Sequence, residues 1–180
     1  MATPLSPGAD ALVPTGPGYD VVLLAHVACA LIGLVTVVVS GIQAARLLGR
    51  GRGGAAAGAG LTRYFAPGVN WAGRTLYGVP LFGFALITMS RGSISTGDSW
   101  VLTGLVLWAV AAALAEGLLW PAERRIQAHL SPAAAEGAAG LGSPDLRAPR
   151  LVRDARTVCA SAAAVVVVVM VAFVVMVAQP

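Results

Sequence analysis

Lysine is absent from this 180-residue chain, so all 12 basic residues are arginine. Charged residues make up only 11% of it and aromatic residues 6%. A water-soluble domain of this length needs a far more polar surface than that, which excludes an ordinary soluble globular fold. Cysteine is scarce as well. Cys29 and Cys159 lie in or at the edge of apolar stretches, and the topology argued below sends them toward opposite membrane faces, so they read as small buried hydrophobes and not as a bridge. Catalytic signatures are missing too. The glycines of residues 49–60 follow a helix rather than a strand, so they form no phosphate-cradling loop. No serine, histidine and aspartate converge, and no zinc spacing occurs. No catalytic, cofactor-binding or metal-binding residue is assigned, no cofactor is expected, and the chain is not expected to be an enzyme.

What the chain has in abundance is apolar surface: 57% hydrophobic residues and a mean hydropathy of +0.80. The bilayer is the solvent this composition fits. A pI near 9.8 could suggest nucleic acid as a partner, but the arginines flank apolar runs, and the positive-inside rule accounts for them without nucleic acid.

Residues 100–120 illustrate the pattern. WVLTGLVLWAVAAALAEGLLW contains no basic residue and has tryptophan at both ends, and the cluster Glu123, Arg124, Arg125 follows shortly after it. About 20 residues at 1.5 Å each cross the hydrocarbon core, with the tryptophans suited to the two interfaces. Three further runs of this kind lie at about 19–48, 71–90 and 157–178. The expected fold is therefore all-α: a polytopic membrane protein of four transmembrane helices in an up-down bundle. Residues 1–18, rich in proline and glycine, form a flexible tail, and 49–70 and 131–153 form mobile connections. No basic residue precedes the first run, so a cleaved secretory signal is not expected there. Within the first connection, Tyr64 and Phe65 lie near Arg63. That piece reads either as a short interfacial helix or as a loop packed on the bundle.

The first span carries the most informative periodicity. At 100° per residue, His26, Cys29, Gly33, Thr36, Ser40 and Gln43 share one arc, whereas Leu23, Val27, Leu31, Leu34 and Val38 lie opposite. In lipid the small and polar stripe faces protein and the aliphatic side faces acyl chains. In the second span Arg74, Gly78, Leu81, Ala85 and Thr88 share a side and predict a second small-residue face. Pro80 interrupts that span, which predicts a bend and leaves the Leu76 carbonyl in need of a partner. The fourth span, alanine-rich and then valine-rich, shows no distinct face. Its alanine run at Ala160–Ala164 permits close backbone approach, and its valines suit lipid or a partner. Beyond Pro121 the third helix is expected to continue as an amphipathic turn or two along the surface.

Eleven of the twelve arginines fall in the tail-distal connections between spans one and two and between spans three and four; Arg91 is the exception. That bias places both termini on the non-cytoplasmic side of the membrane. Arg74 and Glu116 then lie at the same inner boundary. A lone carboxylate is costly there, so an Arg74–Glu116 ion pair is expected, with Arg46 or Arg124 as substitute partners. A proton or cation site at Glu116 is the functional alternative. His26 lies toward the outer side, and His129, the only other histidine, toward the inner. A haem or metal site at His26 is therefore weighed against, and ranked below, a hydrogen-bonded packing histidine.

A histidine-bearing first helix (LLAHVACALIGL), an aromatic connection (RYFAPGVNWAGRTLYGVP) and a third helix closing on an acid and WPAERR resemble small bacterial families of four-helix integral membrane proteins. The arginine-only basic set with abundant alanine, glycine and valine suggests an actinobacterial source. In size and layout the chain is also similar to accessory subunits of respiratory supercomplexes. The resemblance implies a plasma-membrane protein with the lipid bilayer and a larger membrane protein or a second copy as partners, and no nucleic acid. An accessory or scaffold subunit is the expected role, with a small transporter or channel component using Glu116, Arg74 and His26 as the alternative.

Overall fold

The computed structural model describes residues 16–49, 64–65, 71–90, 93–138 and 148–178. Among these residues there is no strand, and every regular element is helical: α1 (Pro17–Gly49), α2 (Trp71–Arg74), a 3-10 turn (Thr75–Tyr77), α3 (Gly78–Met89), α4 (Ser99–Leu114), a π turn (Ala115–Leu119), α5 (Trp120–Ala138) and α6 (Pro149–Ala178). Three stretches are long and apolar enough to cross a membrane: Pro17–Gly49, Ser99–Ser131 and Pro149–Ala178. α1 alone, with 33 residues, extends about 50 Å at 1.5 Å per residue, well over the bilayer's hydrocarbon thickness. Aliphatic side chains cover its outside, among them Leu24 at 70% exposure and Val35 at 60%. Surfaces of this kind are stable against acyl chains and not against water.

α6 lies at the centre, packed on α1, α4 and α5, and α1 in turn carries α2 and α3. Arg125 meets Asp154 at 2.8 Å at one end of the bundle, where α1 terminates and α6 begins. At the other end a β-carbon at Gly18 would come 3.4 Å from Met89 Cε, and one at Gly104 would come 2.6 Å from Met176 Cε. The described arginines that flank the helices therefore collect at a single end. The core cluster sits there as well, built from Val37, Ala44, Leu47, Phe65, Ile126 and Val158 with their neighbours.

On α1, Leu23, Val27, Leu31 and Val38 are exposed and Leu34 is half-buried, while His26, Cys29, Gly33 and Thr36 lie against the Trp71–Met89 segment and Ser40 is buried. The alanine run does permit close approach: a β-carbon at Gly41 would come 3.0 Å from Ala162 Cβ, and the Cys159 thiol lies 3.5 Å from the Gly41 carbonyl. The valines beyond it face outward, with Val167 at 62% and Val174 at 60% exposure.

Other expectations need correction. α6 starts at Pro149 instead of Thr157, and it has a distinct face, since Leu151, Asp154, Val158, Ser161, Ala162 and Val165 are buried at helical spacing. The face expected on the second span is also misplaced: Leu81 is 67% exposed and Thr88 exposed, while Gly73, Leu76 and Leu86 are buried. The 3-10 turn explains this. Three residues advancing 120° instead of 100° rotate everything beyond Tyr77 by about 60°, so one continuous helical wheel misassigns the side. Trp120 is not an interfacial anchor but lies in the core at 6% exposure, and it is Trp71, at 76%, that is outward. Most of the expected mobile connections, and the tail through residue 15, lie outside the described residues.

Candidate functional site

Pro80 organises the site. It cannot donate to the Leu76 carbonyl, and the chain responds by tightening into the 3-10 turn at Thr75–Tyr77 and starting a fresh α-helix at Gly78, whose first turn tolerates proline. The released Leu76 carbonyl receives the indole N–H of Trp108 at 2.9 Å, the partner that the sequence leaves it in need of. One residue on, Tyr77 is thereby aimed at α4. Its ring packs edge-on against Trp108, centroids 6.2 Å apart, and tilted against Trp120, 6.1 Å apart. Its hydroxyl donates to Glu116 Oε1.

Glu116 is presented by the π turn, in which the Trp120 N–H reaches back to the Ala115 carbonyl. Pro121 follows directly and has no N–H to return to Gly117, so the ladder is already broken at this point. The turn leaves Glu116 on the exposed surface. A β-carbon at the neighbouring Gly117 would touch nothing within 4 Å. Arg74 lies with its guanidinium carbon 5.3 Å from the Trp120 ring centroid, a cation–π placement.

The expected ion pair is accordingly not formed: among the described residues no salt bridge joins Arg74 to Glu116. Tyr77, at the i+3 position from Arg74, reaches the carboxylate, and Trp120 takes the guanidinium. Trp120 links the two, its ring beneath the Arg74 guanidinium and packed on the Tyr77 ring that reaches Glu116, so the three groups form one cluster.

The polar stripe of α1 belongs to a different seam. His26 Nδ1 lies 2.8 Å from the Val79 carbonyl, so Nδ1 carries the proton and donates. The imidazole also fills the cleft that Gly83 leaves, 3.4 Å from where a β-carbon would sit. Cys29 occupies the hollow over Gly78 in the same way, at 2.6 Å, and the Cys29 carbonyl accepts from Thr75 Oγ1 at 3.3 Å. Thr36 returns its hydroxyl to Ile32 at 2.8 Å, leaving its methyl 3.7 Å from a β-carbon at Gly73. These residues pack helices together and do not converge on a ligand. Gln43 accepts from Arg46 at 3.4 Å. Among the described residues no group of three histidine, cysteine or acidic side chains could hold a metal.

Ser40 leads to a second polar centre that the sequence does not announce. Its hydroxyl lies 2.9 Å from the Tyr64 hydroxyl, and Glu123, only 6% exposed, lies close to the pair. Either hydroxyl of the Ser40–Tyr64 pair can be the donor. Burial pushes the Tyr64 hydroxyl above the ordinary phenol range, with the Ser40 hydrogen bond partly opposing it and Glu123 adding to it, which keeps Tyr64 protonated. Close by in sequence, Arg125 pairs with Asp154, itself 3% exposed. Every buried side-chain nitrogen or oxygen among the described residues has a partner.

No protein-family profile, curated protein or solved structure matches this chain. The functional reading therefore rests on geometry and composition alone.

Proposed function

We propose that the chain is a non-catalytic, multi-pass membrane protein of four crossings that acts as an accessory or scaffold subunit of a larger membrane complex. In this reading Trp71–Met89 is the fourth crossing, the arginine-rich end faces the cytoplasm, and both termini lie outside. A bacterial plasma membrane is its location, and a respiratory complex is one candidate host. The observation that carries the reading is the combination of buried polar side chains that, among the described residues, all have partners with outward faces of bare aliphatics, among them Leu81, Leu102 and Val106. A protein that does chemistry or conducts ions needs convergent polar groups, whereas one that docks needs shape and apolar area.

The alternative, a small transporter or channel component, draws on the Tyr77–Glu116 hydrogen bond inside an apolar helix pair. It is weaker because His26 bonds Val79 on the α1 seam and shares no contact with the Glu116 cluster that would make a path. Extraction of the tagged chain in mild detergent followed by partner identification separates the readings. A stoichiometric larger membrane complex is the expected result. Recovery of this chain alone, with ion or solute flux that Glu116→Gln abolishes, would instead establish the transporter.

A further inference from the structure

Glu116 and Arg74 present two opposite charges that do not neutralise each other. Among the described residues the carboxylate has one neutral donor, the Tyr77 hydroxyl, and the guanidinium has an aromatic face and no salt bridge. Both belong to helices that face lipid, and the carboxylate is on the exposed side. Neither acyl chains nor the other described residues supply the missing counter-charges, and a carboxylate against hydrocarbon without one is strongly disfavoured. The pair as a whole is neutral, so a purely anionic or purely cationic ligand would satisfy one half and leave the other exposed.

We propose that Arg74, Tyr77 and Glu116 form a binding site for a lipid whose head group carries both a phosphate and a primary ammonium. The phosphate pairs with the Arg74 guanidinium, whose donors suit phosphate oxygens. The ammonium donates to Glu116, which is on the exposed surface. A primary ammonium has three N–H donors and a quaternary one has none, so the carboxylate distinguishes the two head groups. Trp71, 76% exposed, marks the interfacial level one helical turn from Arg74, the depth at which head groups lie. Beyond the site the exposed Leu81 and Phe84 of α3 and Val106 and Val110 of α4 offer an apolar path for the acyl chains.

The proposal rests on Trp71–Met89 and Ser99–Ser131 both traversing the bilayer, and not on the identity of any protein partner. The test uses the purified full chain, stripped of endogenous lipid and titrated with phosphatidylethanolamine, phosphatidylcholine or phosphatidylglycerol of identical chains, with bound lipid counted by native mass spectrometry. Phosphatidylethanolamine is expected to bind about tenfold more tightly than phosphatidylcholine, the size of one charge-assisted hydrogen-bond set. Glu116→Gln, which keeps an acceptor for Tyr77, removes that preference, and Arg74→Gln weakens both lipids. Arg124→Gln, an exposed change outside the cluster, leaves the preference intact. Equal affinity for the two zwitterionic lipids in the wild type overturns the site without any variant. So does tighter binding of phosphatidylglycerol, a preference that survives Glu116→Gln or vanishes in Arg124→Gln, or soluble phosphoethanolamine binding as tightly as the lipid. A missing preference in a protein that does cross four times rejects the lipid site alone.

Discussion

Glu116 and Glu123 lie two helical turns apart on one continuous helical rod, and their surroundings could hardly differ more. Glu123 is 6% exposed and lies close to the hydrogen-bonded Ser40–Tyr64 pair, with the Arg125–Asp154 pair beside it in sequence. Glu116 faces outward, with the Tyr77 phenol as its one hydrogen-bond donor among the described residues. The π turn at Ala115–Leu119 separates the two environments by breaking the helical repeat between them. At the arginine-rich end acids are structural, because protein groups satisfy them. At the Tyr77 seam the acid is available, because the protein satisfies it only in part.

That contrast predicts a graded series of stability losses, each read from thermal unfolding in a fixed detergent. The largest belongs to the buried end. Arg125→Ala strands Asp154 without its counter-charge, and the half-exposed position of Arg125, 52% by side chain, reduces the usual penalty for breaking a buried pair to about 2–3 kcal/mol. In the outward region the backbone matters more than the acid. Trp108→Phe leaves the Leu76 carbonyl without its indole donor and is expected to cost about 1.5 kcal/mol. Tyr77→Phe removes the hydrogen bond to Glu116 while keeping the aromatic packing, for about 1 kcal/mol. Glu116→Gln comes last, at under about 0.5 kcal/mol, the range of an exposed change. A Glu116→Gln loss as large as that of Arg125→Ala would erase the distinction between the two regions.

Some of this was legible in the sequence for local reasons. The α1 stripe could be read because α1 is one unbroken helix of 33 residues, so a single angular step carries from His26 to Gln43. The need of the Leu76 carbonyl could be read because a proline acts at a fixed offset. The face of α3 could not, since nothing local states that Pro80 is accommodated by a 3-10 turn instead of a bend, and the turn rotates every later position. Trp120 resembles an interfacial anchor in composition, yet Gly73 provides a hollow for it, 3.4 Å from its indole nitrogen to a β-carbon there. Asp154 lies in a charged flank that reads as loop, and only the early start of α6 at Pro149 places it on a buried helical face. Tyr64 and Glu123 meet across 59 positions of chain, a distance no periodicity spans.

Traversal of the bilayer by all four spans is the claim on which both the subunit reading and the head-group site depend, and the arginine-rich end gives it a direction. Single cysteines placed at Ser95 and at His129, both exposed, in a Cys29→Ser, Cys159→Ser background would report it through a membrane-impermeant maleimide applied to intact cells. Four crossings with the arginines inside predict labelling at position 95 from outside and at position 129 only after permeabilisation. Labelling of both positions in intact cells, or of position 129 alone, would contradict the account.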